Sequence, residues 1–296
     1  MVEARGMKTV GAIEDPALLS ESQRAALLTL LTDEDFSIYS AVRKKILACG
    51  PAAKDWLRPY ATSSDPALRR RTHEIILFFE KQAADNAFLA FCIRHGEDLD
   101  LEEGAWLLAR TVYPEINVEG YRALLDNFAG ELCERINPSA PPRTILTLIN
   151  QYLFDELGFS GNEEDYYDPD NSYLNRVLDR RTGNPINLCL LYMLLGRRLR
   201  LPIAGIGLPG HFICRFQSSS AEVYLDVFHR GKLLTKADCV HYLLNGSFSV
   251  KDEYLSPVTP RRLMLRVCAN LYQIYLMREK EDEATRLQRY VVALGR

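Results

Sequence analysis

Apolar residues recur along this chain at two different periods, and the change of period divides it. From Ser20 to about Ala84 the spacing is helical: Leu27, Leu28, Leu30 and Leu31, then Val42 and Ile46, then Leu68 and the run Ile75 to Phe79. Thr32-Asp33-Glu34-Asp35 and Ser64-Asp65-Pro66 interrupt it with N-cap chemistry, and a basic cluster follows each, Arg43-Lys44-Lys45 and Arg69-Arg70-Arg71. The pattern predicts two HEAT-like helical hairpins within residues 1–97, with the basic clusters on solvated faces. Helical spacing continues from Glu102 to Tyr113 and from Tyr121 to Ile136. Pro138-Ser-Ala-Pro141-Pro142 reads as a linker, and Arg143 to Leu157 as a further helix.

The period then shortens. Ile186 to Leu195 is apolar or aromatic at every position except Asn187, so this helix has no face for water and must be central. Asn171 or Ser172 can cap the helix before it, which Thr182-Gly183-Asn184 ends, and Pro185 occupies a favoured first position of the central helix. Pro202 to Leu208, His211 to Phe216 and Val223 to Phe228 read as three strands, with the polar stretch Gln217 to Glu222 as a hairpin loop. A symmetric hairpin pairs Phe216 with Val223 and puts His211 diagonal to Asp226 on one sheet face, within reach of each other. Pro260 to Arg296 predicts two antiparallel helices, a tetratricopeptide-like hairpin.

Composition narrows the class. The chain has 296 residues, 47% hydrophobic and 25% charged, with a net charge of -3, which leaves no basic field for nucleic acid. The longest unbroken apolar run, Leu188 to Leu195, is far short of a membrane span, and the first sixteen residues have no apolar core of signal-peptide length. The expectation is a cytoplasmic protein that binds neither membrane nor nucleic acid. Seven scattered cysteines (Cys49, Cys92, Cys133, Cys189, Cys214, Cys239, Cys268), with no CxxC pair, predict reduced thiols and neither a disulfide framework nor a zinc site. The carboxylates of Asn162 to Asn171 lack the glycine and the closing glutamate of a calcium loop.

Four stretches carry a resemblance. Tyr167-Asp-Pro-Asp-Asn-Ser-Tyr-Leu-Asn-Arg-Val-Leu, Arg180-Arg-Thr-Gly-Asn-Pro-Ile-Asn-Leu, Gly207-Leu-Pro-Gly-His-Phe-Ile and Leu225-Asp-Val-Phe-His-Arg-Gly231 resemble, in order, the SirB-type family of transglutaminase-like proteins over roughly residues 98–245. The resemblance implies an α+β fold: a papain-like core over 98–250, with a central helix on an antiparallel sheet, between the helical N-terminal region and the C-terminal hairpin of 251–296. It also implies a catalytic cysteine opening the central helix, a histidine at His211 and an aspartate at Asp226. The cysteine's position is filled by Pro185.

Proline carries no thiol and no backbone N–H, so it can neither attack a carbonyl nor donate to an oxyanion. Cys189 follows on nearly the same helical face, about 6 Å deeper, which is large against the roughly 3 to 3.5 Å that reacting atoms need. The primary reading is therefore a non-catalytic interaction or regulatory module that takes a protein or peptide segment in a retained cleft. Asn171, Asn184, Pro185, Asn187 and His229 are its candidate binding residues. The alternative is a cysteine hydrolase or transferase using Cys189 with His211 and Asp226. A metal set of His211, Asp226 and His229 needs a bend at Phe228, because Asp226-x-x-His229 falls on opposite faces of a regular strand; the expectation is no metal and no cofactor.

Overall fold

The computed structural model describes residues 19–94 and 96–296. The N-terminal stretch read above for a leader lies outside them. The chain divides into two compact units, residues up to 83 and residues 84–296.

The smaller unit is helical. Helix α1 (Glu21–Leu31) opens on a capping box between Ser20 and Gln23, α2 (Phe36–Ala48) on the side chain of Asp35, and α3 (Ala53–Leu57) is a single short turn. Helix α4 (Pro66–Arg94) follows, its first turn capped by Asp65, which accepts from the amides of Ala67 and Leu68. Both sequence-predicted cap sites therefore start helices. Leu28, Leu31, Val42, Ile46, Leu57, Ile75 and Phe79 form the core. Arg71 does not belong to a solvated face: its guanidinium donates to the carbonyls of Leu31 and Asp33 and stacks on Tyr39.

In the larger unit, α5 (Leu101–Arg110), α6 (Val118–Arg135) and α7 (Pro142–Asn150) lead to a π-helical turn over Gln151–Glu156. A two-residue strand, β1 (Ser160–Gly161), pairs in parallel with β2 (Thr182–Gly183), and α8 (Leu174–Arg180) lies between them. Asn171 and Ser172 do not cap α8 as predicted. They sit in a 3-10 turn, Pro169–Ser172, and α8 starts after Tyr173 without a side-chain cap.

Helix α9 (Pro185–Arg198) is the predicted central helix, and from Pro185 to Gly196 only Met193 is not fully buried. It packs on β3 (Ile203–Ile206) and β4 (Ile213–Gln217). The approach to β3 is close enough that a Cβ on Gly196 would come within 2.9 Å of the Ile203 side chain. The sheet continues through β5 (Glu222–Asp226) and β6 (Lys232–Leu234) in the antiparallel order β3-β4-β5-β6. Its register pairs Phe216 with Val223, as the symmetric hairpin predicts. Helices α10 (Lys236–Asn245), α11 (Pro260–Met277) and α12 (Glu281–Leu294) complete the unit. The predicted C-terminal pair is present, and α11 packs on α5, α9 and α12. One hydrophobic core runs from Phe88 through α9 and the sheet to Leu294.

Candidate functional site

The N-terminus of α9 is built by asparagines. Asn184 caps it, its side-chain oxygen accepting from the Asn187 amide at 2.9 Å, and Pro185 follows at the first helical position, where its missing N–H leaves no bond unmade. Asn184 also donates to the Ser172 hydroxyl, and Asn187 to the Ser172 carbonyl. Asn171 donates to the carbonyls of Asp165 and Tyr166 and accepts from Asn162. Asn171, Asn184 and Asn187 are all buried. They tie the 162–172 loop to the start of the helix, and of the three only Asn184 reaches a cleft wall.

His211 and Asp226 meet. His211 Nε2 lies 2.9 Å from Asp226 Oδ2, and both side chains are 12% exposed. His211 does not stand on a strand as predicted; it lies in the loop that precedes β4, because the ladder with β3 begins at Ile213. Two groups from distant helices grip that loop. Arg266 of α11 donates to the carbonyls of Leu208 and His211 at 2.6 and 2.7 Å, and Tyr242 of α10 donates to the carbonyl of Pro209. Neither has a local sequence signal, since each acts across more than thirty residues.

His229 joins the pair. A regular strand would put it on the opposite face, but β5 ends at Asp226 and residues 227–230 form a turn. Asp226 caps that turn: Oδ1 accepts the His229 amide at 3.3 Å, and Oδ2 lies 2.8 Å from His229 Nδ1. Burial alone would raise the Asp226 carboxyl, but hydrogen bonds and charge from His211 and then His229 outweigh it, holding it below the usual carboxylate value. The ligating atoms of His211, Asp226 and His229 lie within 4.8 Å of one another, so this trio could hold a metal ion.

Cys189 faces the core. It is 0% exposed, its thiol donates to the Phe212 carbonyl at 3.5 Å, and Cys214 in turn donates to the Cys189 carbonyl. Burial pushes its thiol well above the free value, the reverse of what a nucleophile needs.

Two adjoining cavities, about 760 and 290 Å³, meet at this place, and Tyr166, Pro185, Gly210 and His211 line both. The larger adds Asp226, His229, Lys232, Asp238, His241 and Tyr242. The pyrrolidine ring of Pro185 thus stands on the wall where the resemblance calls for a thiol. The arrangement offers an imidazole–carboxylate pair, an open cleft and, among the described residues, no sulfur at its wall.

A central helix on an antiparallel sheet, with a histidine and an aspartate brought together beside the helix start, defines a transglutaminase-like α+β protein. The chain belongs to that superfamily: residues 119–269 match the transglutaminase-like superfamily. It is 34% identical to a UPF0162 protein of Xylella fastidiosa over 64% of this chain and 70% of that one. It is 26% identical to a UPF0162 protein of Vibrio cholerae over 67% and 74%. It is also 34% identical to F-box only protein 21 of Mus musculus, over 49% of this chain and 24% of the mouse protein. No solved structure matches. No helix among the described residues is long and apolar enough to cross a membrane.

Proposed function

We propose that this chain is a non-catalytic interaction or regulatory module that binds an extended protein or peptide segment in the cleft between the start of α9 and the turn after β5. One observation carries the reading: Pro185 shares the cleft wall with His211, while Cys189, one helical turn on, is fully buried beneath Phe212. Acyl transfer needs a nucleophile within about 3.5 Å of the scissile carbon, and the cleft wall presents a proline ring there. The cleft keeps what recognition needs: aromatic walls from Tyr166, Phe228 and Tyr242, and polar groups from His211, His229 and Lys232.

The relatives support a modular use. The related segment makes up 24% of the mouse F-box only protein 21, so there it is one part of a longer chain. Within the superfamily we place the chain with the SirB-type proteins, on its four ordered motifs. We read residues 19–83 as HEAT-like and α11–α12 as a tetratricopeptide-like cap.

The test is a peptide-display selection on the full chain, followed by measured affinities for the selected peptides. The reading expects binding that a His211→Ala/Asp226→Ala double variant weakens at least tenfold. Binding indifferent to both substitutions removes the cleft from the account. Hydrolysis or transamidation of model amides that is abolished in Cys189→Ser would establish the cysteine-enzyme alternative instead.

A further inference from the structure

Three lone-pair atoms from separate parts of the fold converge at the edge of the larger cavity. They are His211 Nε2 from the loop before β4, Asp226 Oδ2 at the end of β5, and His229 Nδ1 in the turn beyond it. The two edges that include the carboxylate measure 2.9 and 2.8 Å. An ion with bonds of about 2.1 Å separates neighbouring ligand atoms by about 3.0 Å at right angles and about 3.4 Å at tetrahedral angles, so both edges have the octahedral spacing and need open by only about half an ångström for tetrahedral Zn²⁺. The remaining edge joins the two imidazole nitrogens and is at most 4.8 Å. His229, with a side chain 53% exposed on a turn, shortens it by rotating, exchanging its hydrogen bond to Oδ2 for the ion. His211 and Asp226 form the fixed side.

A pair of hydrogen bonds into one oxygen accounts for the same two edges. The other carboxylate oxygen tells more. Oδ1 accepts the His229 amide, which turns Oδ2 toward both rings and gives the carboxylate the outer support that ligating carboxylates have. Taking up an ion requires only a tautomer change in each ring. A proton on His211 Nε2 moves to Nδ1 and one on His229 Nδ1 moves to Nε2, which frees the lone pair that faces Oδ2 in each ring. The fixed charges around the site balance: Asp226 and Asp238 stand against Lys232 in the larger cavity and Arg266 in the adjoining one.

We infer that His211, Asp226 and His229 form a binding site for a divalent first-row transition ion such as Zn²⁺, with its remaining coordination positions open to the cleft. Two neutral imidazoles and one carboxylate select such ions over Mg²⁺ and Ca²⁺, which take oxygen ligands. The site does not depend on whether the cleft also takes a peptide.

The test uses the full chain in a Cys133→Ser background, which removes an exposed thiol that would take zinc, purified without an affinity tag and stripped with a chelator. Calorimetric titration with ZnCl₂ alone is expected to give one ion per chain, and CoCl₂ a visible d–d absorption band. His229→Ala, at a half-exposed turn position whose fold is verified by circular dichroism, should weaken uptake at least about tenfold, as should Asp226→Asn. His241→Ala, in the same cleft, should leave uptake unchanged. Sub-stoichiometric uptake, or uptake that survives both His229→Ala and Asp226→Asn, overturns the inference.

Discussion

His211 and Pro185 face the same cleft, one carrying an imidazole already oriented by Asp226 and the other a ring that can take part in no proton transfer. The imidazole and the carboxylate that orients it meet beside a helix start whose first residue presents no thiol. Around them the cleft adds aromatic rings from Tyr166, Phe228 and Tyr242 and polar groups from His229, Lys232, Asp238 and His241.

Restoring the thiol tests that relationship. In Pro185→Cys the new sulfur stands at the first position of α9, where the helix dipole and His211 both favour a thiolate. Its alkylation by iodoacetamide, followed site by site by mass spectrometry, should outpace that of the exposed Cys133 and titrate below about 8.5. A rate no greater than that of Cys133 would mean that the helix start does not face the imidazole as described.

Cys189 should behave in the opposite way. With its thiol buried against the Phe212 carbonyl and burial pushing its proton affinity up, it should resist iodoacetamide in the native protein and react only as urea unfolds the chain. Labelling under native conditions at the rate of Cys133 would place Cys189 back among the candidate nucleophiles.

Arg266 holds the His211 loop from α11, and burial lowers the proton affinity of its guanidinium. Two charge-assisted bonds to buried carbonyls make Arg266→Met costly, by about 2 kcal/mol in urea unfolding. The same variant should broaden the His211 imidazole resonances, because the loop loses its grip on one side and keeps only Tyr242. Sharp, unshifted resonances would assign Arg266 a packing role alone.

The sequence shows some of this and conceals the rest for definite reasons. The apolar run of α9 has a single placement, and alternation about a polar loop sets the Phe216–Val223 register, so the meeting of His211 with Asp226 follows from local pattern. The sequence names His229 and the bend it needs at Phe228 but does not show that bend, because Val227 and Phe228 prolong the apolar pattern of β5 past its end. The strand stops when Asp226 turns its side chain onto the His229 amide, a hydrogen bond that no periodicity reports. Gly231 contributes at the same turn: its φ is +68°, and a Cβ there would run into the Asn150 amide. Arg266 and Tyr242 reach the site from helices whose own spacing only says that they are amphipathic.

Asp168 makes the loop beneath the cleft sensitive to acid. Burial alone would raise its carboxyl, but Arg180, at 2.5 Å, and the Asp170 amide outweigh that and hold it below the ordinary value. A carboxyl depressed in the folded state contributes stability that is complete above the unfolded value of about 3.9 and is lost as pH falls through the folded one. The wild type should therefore lose stability below about pH 4 more steeply than Asp168→Asn, measured by urea midpoints across pH 2.5 to 6. Parallel curves would show that the pair contributes nothing to the acid limb.

A buried bidentate ion pair joins α9 to α5. Glu102 is 4% exposed and meets Arg198 through two parallel bonds of 2.8 Å, while Arg198 Nε reaches Asp126 at 2.6 Å. Both charges are largely out of water, and Glu102→Gln leaves the guanidinium with the more exposed Asp126 as its remaining carboxylate. We expect a loss of about 3 kcal/mol in urea unfolding, at the lower end for a broken buried pair because Asp126 compensates in part. Replacing both partners, in Glu102→Leu/Arg198→Met, removes the desolvation cost together with the attraction, and the double variant should lose much less than the single one. A double variant less stable than Glu102→Gln would mean that the bidentate pair holds α9 against α5 by net attraction, and that the placement of the cleft's helix rests on it.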